Sequence, residues 1–167
     1  MAWLRRYPQA SRRLSSFLRF SVVTGAILLI AMSSHSPAPR PGPGLHDGRL
    51  AACPSSPNCV CSQDAEAGDA IAPLAFRGTA AAAMHALKQV LASQPRVRVI
   101  TETPNYLHAE FRTPLCRFVD DVEFLVVESE HVIHVRSASR VGYSDLGTNR
   151  RRVEALRREF AALAGGE

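Results

Sequence analysis

Hydrophobic and polar positions along this chain resolve into two helical stripes and a set of alternating runs, preceded by one unbroken apolar stretch. Between Thr79 and Ser93, residues Ala83, Met84, Leu87, Val90 and Leu91 recur on one helical face. The pattern predicts a helix with Thr79 as N-cap, Gly78 breaking the chain before it and Pro95 ending it. A second stripe of Val153, Leu156, Phe160 and Leu163 predicts a helix from about Asn149 to Ala164. Between them the period falls to two. Val97, Val99 and Thr101 alternate with Arg96, Arg98 and Ile100. Leu107, Ala109 and Phe111 share one face of Tyr106 to Arg112. Phe118, Val122, Phe124 and Val126 do so in Cys116 to Val127, and Ile133 and Val135 in Val132 to Arg136. Pro104-Asn105, Thr113-Pro114 and Glu128-Ser129-Glu130 supply short turns, which imply an antiparallel meander. The expected fold is therefore α+β and two-layered, a meander of about four strands with both helices on its apolar face.

The other sheet face is polar. His108, Glu110 and Arg112 share parity on one strand, Arg117, Asp121 and Glu123 on the next, and His134 and Arg136 on the last. Adjacent strands bring such side chains within reach. Two readings follow: a solvated, salt-bridged face, or a histidine–carboxylate pair able to do acid–base chemistry. Asp120 has the parity of the apolar face. It requires a cationic partner, or a bulge at Asp120-Asp121 that turns it out.

Phe20 to Met32 is a continuous apolar run behind Arg5, Arg6, Arg12, Arg13 and Arg19. That arrangement suits a signal peptide or membrane anchor. The five arginines equal the whole formal net charge of +5, so basicity here argues for membrane targeting and against a nucleic-acid partner. The expected organisation is a targeting segment over 1–36, a Pro/Gly-rich linker over 37–49, one globular domain over 50–164 and a tail over 165–167. The domain is expected outside the cytoplasm, either periplasmic or anchored in the cytoplasmic membrane facing outward.

An oxidising compartment makes disulfides available to Cys53, Cys59, Cys61 and Cys116, which allow three full connectivities. Cys53 with Cys59 is favoured because Pro54 and Pro57 shape a tight loop between them. C-x5-C-x-C is not a usual zinc-ligand spacing, so neither a metal nor another cofactor is expected.

Arg136 to Arg152, RSASRVGYSDLGTNRRR, is far more specific than a linker needs to be. Arg150, Arg151 and Arg152 fall in the first turn of the last helix, where cations oppose the helix dipole. Internal carboxylates among Asp120, Asp121, Glu123, Asp145 and Glu154 are one compensation. The other is a small anion bound at the helix start. The candidate ligand-binding set is Arg136, Ser137, Ser139, Arg140, Tyr143, Ser144, Asp145 and Arg150, with His108 and His134. Arg140 and Arg150 are expected to face a shared polar pocket, with Asp145 ordering the loop beside them. No P-loop or other catalytic motif is present. Besides a small-anion site, two functions are open: a hydrolase using His108 or His134 with a carboxylate, and a structural or protein-interaction domain of the envelope. The last would show an exposed apolar patch and a loop consumed by internal salt bridges.

CPSSPNCVCSQ, YLHAEF, RFVDDVEF and IHVRSASRVGYSDLGTNRRRVEALR together resemble the domain of unknown function 1499 family, over about Leu50 to Phe160. That family is bacterial with plastid relatives, and its members often carry a signal or membrane segment. The resemblance implies a fold unit and a location and supplies no catalytic residues. Typical members have Ser where this chain has Cys61, which again favours Cys53 with Cys59.

Overall fold

The computed structural model describes residues 42–63 and 68–164. The predicted targeting segment lies outside them. Among the described residues no helix is long and apolar enough to cross a membrane.

The architecture is α+β. Strands β1 (Leu45–His46) and β2 (Arg49–Leu50) form a hairpin, followed by β3 (Cys59–Cys61), β4 (Leu74–Ala75) and helix α1 (Ala80–Ser93). Strands β5 (Val97–Glu102), β6 (Tyr106–Arg112), β7 (Val119–Val127) and β8 (Val132–Ser139) lead into helix α2 (Thr148–Ala164). The main sheet has six strands in the order β3-β8-β7-β6-β5, with β4 also pairing with β8. All strand pairs are antiparallel. The expected meander is β5 to β8. Four strands was an undercount, because β3 and β4 are too short to show a period of two and the hairpin sits in the Pro/Gly-rich tract. The hairpin occupies residues 45–50, where a linker was expected. Its two-residue turn, Asp47-Gly48, has positive φ at both positions, as a turn matching the strand twist requires.

Thr79 caps α1 by accepting a hydrogen bond from the Ala82 backbone N–H. All five residues of its predicted stripe are buried. In α2, Val153, Leu156 and Phe160 are buried, while Leu163 is half exposed. These helices cover Leu107, Ala109, Val122, Phe124, Ile133 and Val135 in one core. A fully buried side chain the size of Phe124 or Phe160 contributes about 1.5–3 kcal/mol over leaving it exposed. The edge strand β5 carries an irregularity between Val99 and Thr101, which blunts it as a template for further pairing.

The polar sheet face is covered around His108, Asp121, Glu123 and Arg136 and open at Arg112 and Arg117. The hairpin and the loop bearing Cys53 lie over it, and Leu50, Cys61, Tyr106 and Leu125 form a second, smaller core there. The Gly44 backbone N–H donates to Glu123 Oε1 at 2.8 Å, tying the start of the described chain to that face. A disulfide joins Cys53 to Cys59 with the Cα atoms 5.7 Å apart. Cys61 is free and buried, and Cys116 is free and exposed.

Candidate functional site

Strand β7 carries three acidic residues in the run Val119-Asp120-Asp121-Val122-Glu123, and all three are buried. Alternation sends Asp120 to the helix-covered face and Asp121 and Glu123 to the other. The register is regular through these residues, so no bulge turns Asp120 out. Each carboxylate meets its own arginine from the 136–152 segment. Glu123, fully buried, accepts from Arg136 Nη1 at 2.9 Å. Tyr106 also donates its hydroxyl to Glu123, at 2.8 Å. Arg140 reaches Asp121 through Nε at 2.8 Å and Nη2 at 2.7 Å, and Glu110 through Nη2 at 2.6 Å. Arg152 bonds Asp120 from α2 and lies over the Phe111 ring with its guanidinium carbon 5.0 Å from the centroid.

His108 completes the cluster on the second face, with Nε2 at 2.7 Å from Asp121 Oδ1. Burial pushes the Asp121 carboxyl up, but hydrogen bonds from Arg140 and His108 outweigh it and lower it to about 2. The hydrogen bond to Asp121 pushes the Arg140 guanidinium up, against burial. Burial, then the Glu123 charge, raises the Tyr106 phenol. Burial also raises the Cys61 thiol. Among the buried side-chain polar atoms described, the Arg136 Nε lacks a hydrogen-bond partner.

The start of α2 is satisfied from within the chain. Asp145 accepts from the backbone N–H of Gly147 at 2.8 Å and of Asn149 at 2.7 Å, so it caps the start of α2. Arg150 donates to the Ala70 and Gly68 carbonyls at 2.8 and 3.0 Å, and Arg151 to the Leu146 carbonyl at 2.8 Å. Asn149 is fully buried between Ser137, Ser139 and the Asn58 carbonyl, binding α2 to β8 and to the disulfide loop. Neither Asn58 nor Asn149 stood out in the sequence. An Asn inside the first turn of an Arg-rich helix was the available signal.

The candidate residues are not gathered in one cavity. Arg136, Ser139 and Arg140 line a cleft of about 240 Å³ with Asp121. Arg150 lines a different one, with Asp145 and Gly147, so it shares no pocket with Arg140. Ser137 lies on the helix-covered face, bonded to Asn149. His134 stands apart, 3.1 Å from the Ser62 hydroxyl through Nδ1 and 3.5 Å from Glu130 through Nε2. Tyr143 is 74 % exposed. Ser144 accepts from the Leu146 N–H at 3.2 Å. No group of three or more His, Cys, Asp and Glu residues among those described is placed to hold a metal ion.

The larger opening is apolar and lies at the end of the sheet where β6 turns into β7. The turn at residues 113–118 and the loop at 141–148 enclose a cleft of about 760 Å³. Leu115, Phe118, Val141 and Leu146 line it, and each is more than half exposed. Alternation along Cys116 to Val127 predicts Phe118 on the buried face of β7. The strand begins at Val119, which leaves Phe118 at this mouth.

The described residues thus form an antiparallel α+β domain with a carboxylate–arginine ladder through both sheet faces, helices on one side and a disulfide-held cover on the other. The chain belongs to the family described as protein of unknown function (DUF1499), whose pattern matches residues 49–160. No curated protein matches it in sequence.

Proposed function

We propose that this chain is a membrane-tethered binding domain of the cell envelope, whose binding element is the two-loop apolar end of the sheet. One observation carries the reading: the arginines of the 136–152 segment are spent inside the molecule while the apolar residues of two neighbouring loops stand out around a cleft. Exposed apolar clusters around a concavity of this size are typical of binding sites. The hydrolase alternative is less well served. His108 Nε2 is engaged by Asp121, and Asp121 is held in turn by Arg140. The basic flank and apolar run before residue 33 support tethering outside the cytoplasm.

Site-specific photo-crosslinking of the full chain in its own cells tests the reading. A photoreactive residue at Leu146 or Leu115 should give a discrete adduct, and one at the exposed Arg158 on α2 should give none. Absence of adducts at both loops in protein that retains its disulfide rejects it. A phosphatase fused at the C-terminus should be active, and an inactive fusion would end the tethering argument.

A second reading, a small anion between Arg136 and Arg140, is favoured by the unpartnered Arg136 Nε beside the cleft both arginines line. Inorganic phosphate should then raise the melting temperature of the wild type. No rise at any concentration rejects it.

A further inference from the structure

Beside the apolar cleft, and sharing Thr113 and Pro114 with it, lies a second opening of about 430 Å³. Arg96, Arg98, Arg112 and Arg117 line it, and all four are exposed. Their charge is poorly neutralised. Arg112 approaches Glu110 only to 3.6 Å, and Glu110 is already held by Arg140 at 2.6 Å. Arg98 and Arg117 make no ion pair among the described residues. Two of the four sit on left-handed backbone, Arg96 at φ 61 and Arg117 at φ 53, where glycine or asparagine would be cheaper. Backbone preference therefore does not account for arginine at either position.

We infer that the partner of this end is an anionic lipid bilayer. Leu115 and Phe118 on one loop, and Val141 and Leu146 on the other, enter the interface, while the four arginines take the headgroup phosphates. The inference rests on the binding reading above and names its partner. Apolar insertion and clustered basic charge are the two signals that together hold a peripheral surface on a membrane. Arginine suits the second role because its planar fork matches phosphate oxygens. The sequence adds proximity: from the end of the apolar run at Met32 to Gly42 the chain extends at most about 35 Å. A domain so tethered stays within reach of the bilayer.

Cys116 provides the measurement, since it is exposed at the tip of the 113–118 turn and Cys61 is buried. The full chain is labelled at Cys116 with an environment-sensitive fluorophore and reconstituted in phosphatidylcholine vesicles with or without phosphatidylglycerol. Doxyl-labelled lipid should quench the probe strongly in the anionic vesicles and little in the neutral ones, and added salt should reverse the quenching. Arg98→Gln with Arg117→Gln should abolish it with the melting temperature unchanged, and Leu115→Ser with Phe118→Ser should do the same. No quenching in anionic vesicles, or equal quenching in both, overturns the inference. If adducts still form at Leu146 in cells, the bilayer alone is rejected. If adducts form at neither Leu146 nor Leu115, the binding reading falls with it.

Discussion

Replacing Arg140 with alanine separates architecture from ligand binding. The guanidinium makes two hydrogen bonds to Asp121 and one to Glu110. The Asp121 side chain is 8 % exposed and that of Glu110 13 %, so both are largely shielded from water. Removing one partner of a fully buried pair costs about 3–5 kcal/mol. Arg140 itself is 43 % exposed, and His108 stays on Asp121 after the change, so water and imidazole recover part of the loss. The expected cost is about 2–3 kcal/mol, which in a domain this size lowers the melting temperature by about 8–12 °C. The pH dependence is the sharper signature. The folded Asp121 carboxyl is depressed from 3.8 to about 2, so its stabilisation is complete above pH about 4 and lost as pH falls toward 2. In Arg140→Ala the folded carboxyl rises, and the loss begins at higher pH. The gap between wild type and variant should be largest near neutrality and close toward pH 2. Thermal melts followed by circular dichroism across that range measure it. A neutral-pH shift below about 1 °C, or a gap that does not change with pH, would refute the structural role of Arg140.

Arg152→Ala should cost about 3–5 kcal/mol by stranding Asp120 under α2, and adding Asp120→Asn should restore at least half of that in chemical denaturation. If the double variant is no more stable than the single, the pair is not coupled. Non-reducing peptide mapping should find Cys53 joined to Cys59, and replacing both with serine should cost about 2–3 kcal/mol for so short a loop. Free thiols at both positions in protein extracted without reductant would reject the bridge. In the native protein a thiol reagent should modify Cys116 at once and Cys61 only after unfolding, since burial raises the Cys61 thiol. Equal rates would place Cys61 at the surface.

The helices and the four longer strands were legible because each carries enough residues for its period to show. The five apolar positions of α1 are all buried, and Tyr106–Arg112 is a strand with the predicted bounds. What escaped was short or held from outside. β4 is two residues long and exists through its pairing with Ile133 and Val132 of β8. β3 carries Cys59, Val60 and Cys61, all buried, so there is no polar alternate position to mark a strand. The β1–β2 hairpin did carry a signal, since Asp-Gly between two short runs is a strong hairpin turn, but the surrounding prolines and glycines spelled linker. The role of Asp120 was half legible. Its parity put a carboxylate on the apolar face and demanded a cation, while the sequence could not select Arg152 among its neighbours.

The Arg/Ser segment places most of its arginines on partners within the chain. Arginines at a helix start oppose the dipole, and either internal carboxylates or a bound anion can offset that conflict. The conflict is settled by position. Arg150 and Arg151 bend back to carbonyl oxygens, which are partial negative charges, and Asp145 places a full negative charge at the cap. Arg152 leaves the helix axis altogether and crosses to Asp120. Because β7 alternates, its successive carboxylates need cations on opposite faces, and a segment that ends a strand, loops around and begins a helix reaches both. Arg136 and Arg140 come from the strand side and Arg152 from the helix side. The long loop between them is what makes the double reach geometrically feasible. Its exposed Val141, Tyr143 and Leu146 contribute nothing to those ion pairs, which leaves them available for the binding role proposed for that end of the sheet.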